Sequence, residues 1–227
     1  RRPLQSMFSW PNFPYILFDD GQVKAFNKKS GKITVVSTGS LKDATLIDEK
    51  TVCLALNTNI CIMRSEGNDS FKKELSPAFK IRTYSIEKAP ITNSVFIATS
   101  GGLKILKESM SVEHATFKSE LMFANDITVD SKSVYVSTKN KGILVYQNDI
   151  AVEQIVPELN QKAIEVHKLV VHNNYLYTLS SEGFVVFDKK GGVVIQLNKV
   201  QGFSTNRIFD FEIIDNQIWI SHSKGIQ

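Results

Sequence analysis

The sequence lacks the features that mark membrane spans, signal peptides and disulfide frameworks. No apolar run approaches the roughly 18 residues that a membrane-spanning helix requires, so we expect no membrane contact by this segment. The start of the chain is basic but has no apolar core of a signal peptide. Only two cysteines are present, Cys53 and Cys61, one on each side of a short predicted turn. A cross-strand disulfide is one interpretation, but two buried free thiols are the more common arrangement in strands.

Charge and catalytic motifs are also sparse. The net charge is only +4, and the lysines occur as scattered pairs rather than as a stripe, so no nucleic-acid partner is expected. There is no Gly-x-Ser-x-Gly motif and no cysteine with a suitably placed histidine for nucleophilic catalysis. His167 and His172 lie at opposite ends of one predicted strand with an odd separation, so they face opposite sides and cannot share a metal. We expect neither a metal nor a cofactor.

The sequence does contain a repeat of two apolar strands joined by a tight turn. The clearest copies span residues 133–146, 175–187 and 217–227, and more divergent copies span residues 15–26, 51–63 and 94–106. The turn residues are separated by 38, 43, 40, 41 and 42 positions, in the order Gly21, Asn59, Gly102, Gly142, Gly183 and Gly225. A period near 40 that is built only of strands predicts a β-propeller with one four-stranded antiparallel blade per repeat.

We therefore predict an all-β fold in which residues 1–227 form a single propeller domain or a propeller fragment. About six blades are expected, the last of them incomplete, with approximate limits of 4–38, 41–76, 80–117, 123–157, 164–200 and 206–227. Weak helical tendency is confined to two short polar stretches, which we interpret as connections between blades. Because the chain starts without methionine and stops inside its sixth repeat, we expect it to be a segment of a longer protein.

Three repeats share a more specific pattern of polar, apolar and aromatic positions. Residues 204–227 carry it with Trp219 on the second strand, residues 124–146 with Tyr135, and residues 91–106 with Phe96. This pattern resembles the propeller repeats of two-component regulators, which form the extracytoplasmic sensor domains of bacterial hybrid histidine kinases. The paired residues of WD repeats, the kelch spacing and the sialidase box are absent. An aromatic residue on the second strand is predicted to pack between neighbouring blades, as it would at Tyr177 as well.

The resemblance implies a sensor in the periplasm or another extracytoplasmic space, with a cytoplasmic location as the alternative. Ligand capture would shift the packing of the propeller or the geometry of a dimer, and a downstream kinase would receive that change. Expected partners are a small molecule or oligosaccharide, or another protein, and a homodimer is a further possibility.

Candidate ligand-binding residues lie at the beginning of the first strand of each blade, which lines the central channel of a propeller. Asp43, Asp126, His167 and Asp210 occupy these positions, and Thr83 does so in the third repeat. A ring of such groups would suit a cation, a sugar or a basic peptide. The alternative is structural, because aspartate at the start of a strand often accepts hydrogen bonds from loop backbone.

The leading hypothesis is a non-catalytic propeller that senses a ligand or binds a partner. Two alternatives stay open. One is a propeller hydrolase or lyase that acts on a carbohydrate at the mouth of the channel, where two carboxylates could face each other. The other is an intracellular protein-interaction scaffold.

Overall fold

A computed structural model of the protein describes residues 6–8, 15–19, 21–27, 29–38, 40–67, 70–75, 80–197, 200, 202–203 and 208–226. Within these residues the regular structure consists of strands, without an α-helix. No helix in this part of the chain is long and apolar enough to cross a membrane. The chain divides into two compact units, one made of Arg1–Lys88 and Asn93–Ala115, the other of Ala89–Thr92 and Thr116–Gln227.

Unit 1 contains three antiparallel sheets of four strands, and each strand pairs with the one before it in sequence. Blade 1 consists of β1 (Ser6–Phe8), β2 (Tyr15–Asp19), β3 (Gln22–Phe26) and β4 (Ile33–Thr38). Blade 2 consists of β5 (Leu41–Asp48), β6 (Thr51–Leu56), β7 (Ile60–Gly67) and β8 (Ser70–Leu75). Blade 3 consists of β9 (Thr83–Lys88), β10 (Val95–Thr99), β11 (Gly102–Leu106) and β12 (Val112–His114).

Unit 2 contains two further four-stranded sheets, a three-stranded sheet and two short hairpins. The hairpins are β13 (Thr116–Phe117) with β14 (Glu120–Leu121), and β19 (Glu158–Leu159) with β20 (Lys162–Ala163). Blade 4 consists of β15 (Ala124–Val129), β16 (Val134–Thr138), β17 (Ile143–Gln147) and β18 (Ile150–Ile155). Blade 5 consists of β21 (Val166–His172), β22 (Tyr175–Ser180), β23 (Gly183–Asp188) and β24 (Val193–Leu197). The sixth sheet consists of β25 (Ile208–Ile214), β26 (Gln217–His222) and β27 (Gly225–Ile226).

The described residues therefore form five complete four-stranded blades, so the prediction of about six blades is wrong in number. The sixth repeat has the same strand order, but only three of its strands lie in the described part of the chain. Whether all 227 residues form a single domain stays a prediction.

Residues that tolerate positive φ make the tight turns between strands. In unit 2, hairpins with two successive residues in this conformation include those at Asn148 and Asp149, Asn173 and Asn174, and Asp215 and Asn216. Such pairs match the right-handed twist of the flanking strands, and Asn and Asp adopt this conformation more readily than other residues with a side chain. The repeat spacing located five of the turns at glycines, and all five glycines have positive φ: Gly21, Gly102, Gly142, Gly183 and Gly225.

A one-residue β-bulge recurs near the beginning of the first strand in each sheet from blade 2 onward. In β5, Leu41 pairs with Leu56 and Asp43 pairs with Ala55, so Lys42 is the extra residue. The extra residues at the same place in the four other first strands are Tyr84, Asn125, His167 and Phe209. Because a bulge changes which side chain faces which side, it decides which residues of these strands correspond to one another.

Within each unit, the hydrophobic core lies between neighbouring blades. Cys53 packs with residues of blade 3, whereas Cys61 packs with residues of blade 1, so the two thiols lie on opposite faces of blade 2. Both are buried and free, as predicted. The predicted aromatic packing is confirmed for Phe96 and Tyr135, which are 0% and 4% exposed. It is wrong for Trp219, which is 47% exposed.

Candidate functional site

Asp43 joins the first strands of blades 2 and 3 in unit 1. Its Oδ2 atom accepts hydrogen bonds from the backbone N–H of Ile86 at 2.9 Å and from the hydroxyl of Ser85 at 3.1 Å. Its Oδ1 atom accepts the N–H of Ala44 at 2.8 Å. Ile86 is fully buried, so the carboxylate satisfies a donor that would otherwise be costly to bury.

Asp126 makes the corresponding contact between blades 4 and 5 in unit 2. Its Oδ2 atom accepts the backbone N–H of Leu169 at 2.9 Å. In both places a threonine two residues later accepts a second amide of the next blade: Thr45 from Lys88 at 3.3 Å, and Thr128 from Val171 at 3.4 Å. We call this pattern the Asp-x-Thr tie. The sequence shows it as Asp43-Ala44-Thr45 and Asp126-Ile127-Thr128, a repeat that could have been noticed.

His167 does not correspond to Asp126, because it is the extra residue of the β21 bulge. The residue after the bulge is Lys168, which pairs with Leu179 as Asp126 pairs with Ser137. The His167 side chain is half exposed, and its Nδ1 atom lies 4.0 Å from Oε1 of Glu165. Sequence spacing alone placed the candidate one position too early.

Lys168 and Asp210 form an ion pair between blade 5 and the sixth sheet. The ammonium group of Lys168 donates to Asp210 and also to Oε1 of Glu212 at 3.3 Å. Burial by itself lowers the pKa of Lys168, but the hydrogen bonds and charges of Asp210 and Glu212 outweigh it and raise the pKa. Lys168 therefore stays protonated and is unsuited to act as a nucleophile.

Thr83 is fully buried at the beginning of β9. Its hydroxyl donates to the backbone carbonyl of Leu56, and its N–H donates to the carbonyl of Asn57 at 3.2 Å. Both contacts join blade 3 to the end of β6. Thr83 thus contributes to packing between these blades of unit 1.

The bulges present a set of side chains on the surface of unit 2. We define the bulge surface as Asn125, His167 and Phe209, which follow one another on three successive first strands. Phe209 is 57% exposed, and Asn125 donates from Nδ2 to Oε1 of Glu165 at 2.9 Å and to the carbonyl of Val166 at 2.9 Å. Glu165 therefore lies beside both Asn125 and His167. In unit 1 the extra residues are Lys42 and Tyr84, and the guanidinium of Arg82 lies 5.5 Å from the Tyr84 ring centroid.

Burial raises the pKa of both the Cys53 and Cys61 thiols, so neither is a ready nucleophile. In the part of the chain that the structure describes, no three His, Cys, Asp or Glu side chains are grouped as metal ligands would be. Of the four candidates, Asp43 lies in unit 1 and the other three lie in unit 2. Their role in ligand binding stays a prediction.

An apolar depression of about 280 Å³ lies on the exposed face of the sixth sheet. Trp219, Ile214 and Ile226 line it together with the edges of Asp210 and Glu212. Trp219 pairs with Glu212 as Tyr135 pairs with Thr128, so it holds the second-strand position that is buried in blade 4. The repeat pattern in the sequence indicated this position but not its exposure.

Neither the protein-family models nor the curated proteins give a match to the sequence. Solved structures do match, and they define the class of fold: a β-propeller of four-stranded antiparallel blades.

One matching structure is the extracellular domain of the hybrid two-component system BT4673 from B. thetaiotaomicron. It has a TM-score of 0.71 and 16% identity, and the match covers 97% of this chain and 31% of that chain. The virginiamycin B lyase from Staphylococcus aureus has a TM-score of 0.70 and 12% identity, covering 99% of this chain and 83% of that one. The β-propeller domain of Cps50 (Swd1) from Myceliophteria thermophila has a TM-score of 0.68 and 10% identity, and the match covers 94% of this chain and 79% of that chain.

At these identities the likeness shows the fold. This chain spans about a third of the length of the two-component chain that it matches.

Proposed function

We propose that this chain is a non-catalytic β-propeller that recognises an oligosaccharide in an extracytoplasmic space, as the sensor part of a two-component signal-transduction protein. The observation that carries the proposal is the structural match over 97% of the chain to the extracellular domain of a hybrid two-component system. The repeat pattern around Trp219 and Tyr135 leads to the same class of protein from the sequence alone. Transmission to a kinase belongs to the longer protein.

The bulge surface is the site that we assign to the ligand. A half-exposed phenyl ring at Phe209 offers an apolar face on which a sugar ring can stack. Asn125, His167 and the neighbouring Glu165 offer amide, imidazole and carboxylate groups for hydrogen bonds to hydroxyl groups. A few polar groups around an aromatic residue are the usual composition of a small-ligand site.

The enzyme alternative has the similarity to virginiamycin B lyase in its favour, and the scaffold alternative has the similarity to the Cps50 domain. The charge state of Lys168 and the buried thiols favour binding over catalysis, since neither group is activated. A protein partner and a homodimer are further partners that fit an interaction module of this fold.

A glycan array followed by calorimetric titration of the strongest binder tests the proposal. The chain should bind an oligosaccharide, and the recovered sugar should keep its mass after prolonged incubation with the protein. Phe209→Ala and His167→Ala should each weaken binding by about tenfold or more, the loss expected for about 1.4 kcal/mol. Tyr175→Ala provides a matched control, because it removes an exposed aromatic residue from the opposite end of blade 5.

Three results would overturn the proposal. Cleavage or elimination of the bound sugar would identify the chain as an enzyme of the hydrolase or lyase kind. Equal losses for Phe209→Ala and Tyr175→Ala would remove the bulge surface from recognition. Absence of binding across the whole array would reject an oligosaccharide as the ligand.

A further inference from the structure

In unit 2 a polar clamp closes the groove between blades 4 and 5. The ammonium group of Lys189 donates to Oδ2 of Asp130 at 2.7 Å, and the hydroxyl of Tyr135 donates to the same oxygen at 2.9 Å. The ammonium also lies 5.1 Å from the centroid of the Tyr135 ring. One aromatic ring and one ammonium of the two blades thus meet at a single carboxylate.

The groove between blades 2 and 3 in unit 1 has a carboxylate at the same position. Asp48 is the last residue of β5 and Asp130 directly follows β15. Both accept at 2.8 Å on Oδ1 the backbone N–H two residues later, from Lys50 and Lys132. The strand register agrees once a second bulge in β5 is counted. Cys53 pairs with Thr45 as Tyr135 pairs with Thr128, and Ile47 is an extra residue between Leu46 and Asp48. Asp48 therefore corresponds to Asp130, and Cys53 corresponds to Tyr135.

The loop after the third strand of blade 3 corresponds to the loop that carries Lys189. In blade 5, Asp188 donates its N–H to the carbonyl of Gly192 at 2.9 Å, and Gly191 donates back to Asp188 at 3.0 Å. In blade 3 the same two bonds run from Lys107 to Ser111 at 2.8 Å and from Met110 to Lys107 at 2.9 Å. The residue after the first of these positions is Lys189 in blade 5 and Glu108 in blade 3.

Two of the three parts of the clamp are thus replaced in unit 1. Cys53, with its small thiol, occupies the position of Tyr135, so the aromatic ring is missing. Glu108 occupies the position of Lys189, so a carboxylate replaces the ammonium. The groove holds a cavity of about 330 Å³, within the range of small-ligand sites. Its buried lining residues, Ile62, Val95 and Leu106, form an apolar floor, and the exposed Asp48 and Glu108 lie on its rim. Ile47 and Met110 are the other apolar residues that line it.

The charges on the rim leave a surplus of carboxylates. Besides Asp48 and Glu108, the cavity is lined by Glu74 and by two cations, Arg64 and Lys107. Lys107 also lies 3.7 Å from a carboxylate oxygen of Glu113, and Lys72 lies 3.2 Å from Oε1 of Glu74, so one carboxylate stays in surplus. Asn93, a further lining residue, donates from Nδ2 to Oε1 of Glu108 at 3.3 Å. Burial alone raises the pKa of Asp48, but hydrogen bonds from the Lys50 backbone and the Thr51 hydroxyl, together with the charge of Arg64, lower it overall. Asp48 is therefore ionised at neutral pH.

We propose that this groove of unit 1 binds a primary amine on a compact apolar body, which supplies the ring and the ammonium that Tyr135 and Lys189 supply in unit 2. The carboxylates of Asp48 and Glu108 receive the ammonium, and the apolar floor receives the body of the ligand. The inference does not depend on the proposed sensing role, because it rests on blades 2 and 3 and on their comparison with blades 4 and 5.

Calorimetric titration with tyramine tests the proposal, because tyramine carries a phenol ring and an ammonium on one small molecule. We expect tyramine to bind saturably. The dissociation constant of 4-ethylphenol should be larger by about tenfold or more, since 4-ethylphenol lacks the ammonium. The acid 3-(4-hydroxyphenyl)propionate, which presents a carboxylate instead, should bind more weakly still. Absence of saturable tyramine binding at millimolar concentration, or equal binding of 4-ethylphenol, would overturn the proposal.

Glu108→Lys should close the groove by placing an ammonium at the position of Lys189. We expect this variant to lose about tenfold or more in affinity for tyramine and to melt at a temperature no lower than that of the parent chain. Ser109→Lys is the matched control, since Ser109 lies in the same loop but does not line the cavity. It should retain the affinity within about twofold.

Glu108→Gln keeps the proposal testable if Glu108→Lys fails to fold. It removes one carboxylate with little change of size and should weaken tyramine binding without affecting that of 4-ethylphenol. If both Glu108 variants bind tyramine as tightly as the parent chain, the groove is not the site.

Discussion

Asp130 shows most clearly how one residue depends on its neighbours in another blade. Burial by itself raises the pKa of this carboxyl, but Lys189, the backbone N–H groups of Lys132 and Ser133, and the Tyr135 hydroxyl lower it to about 2. The pKa of an unfolded aspartate is about 4. Because the folded value is the lower one, the ionised clamp stabilises the fold fully above about pH 4 and is lost as the pH falls towards 2.

Asp130→Asn should therefore flatten the acid limb of the stability curve. Asparagine does not titrate, so the free energy of unfolding of the variant should change less between pH 4 and pH 2 than that of the parent chain. Urea unfolding at a series of pH values measures the difference. Lys189→Met should have a similar effect, because it removes the ammonium that stabilises the ionised carboxyl. Parallel curves for parent and Asp130→Asn would contradict this account of the clamp.

Two glycines with nearly the same backbone conformation separate the effect of φ from that of space. Gly21 has φ of +72° and open space where a Cβ atom would lie, whereas at Gly142, with φ of +69°, a Cβ atom would lie 2.3 Å from the carbonyl oxygen of Ile155. Gly21→Ala should cost about 1–2 kcal/mol through the left-handed conformation alone. Gly142→Ala should cost about 1–3 kcal/mol more, because backbone must move. Chemical denaturation measures both, and equal losses would mean that the turn at Gly142 has room to adjust.

At the scale of strands, equivalent positions on the second strands of two sheets can differ in burial. Tyr135 is buried against blade 5, whereas Trp219, at the corresponding position, is half exposed. Tyr135→Ala should cost about 3–5 kcal/mol, as for other large aromatic residues in a core. Trp219→Ala should cost no more than about 1.5 kcal/mol, about half the value of a fully buried side chain. A loss at Trp219 as large as that at Tyr135 would show that this face is covered in solution.

Strands and turns could be predicted because their signals are local. Short apolar runs bounded by turn residues define β16 and β22, and the positive φ of Gly142 and Gly183 follows from the turns that they occupy. The bulges could not be predicted, because an extra residue is recognised only against its partner strand. In blade 5 the extra residue is His167, so Lys168, and not His167, occupies the position that corresponds to Asp126. The exposure of Trp219 could not be predicted from the sequence either, since it depends on what packs against β26.

At the scale of the whole chain, the period near 40 predicted the fold class, and the expected total of about six blades was the part that was wrong. The contacts that join blades link residues far apart in sequence: Asp43 to Ile86, Asp126 to Leu169, and Lys189 to Asp130. A pattern search within one repeat does not detect such pairs. The candidate site was predicted only as a set of positions, and two of its aspartates prove to bind backbone of the next blade.

The central structural claim is that the same tie joins successive blades in both units, with an aspartate of one first strand accepting an amide of the next. Hydrogen exchange followed by NMR tests it directly at the amides of Ile86 and Leu169. Asp43→Ala should speed exchange at Ile86, and Asp126→Ala should speed exchange at Leu169, each by about tenfold or more and each without affecting the other amide. Unchanged protection of both amides in the two variants would contradict the claim.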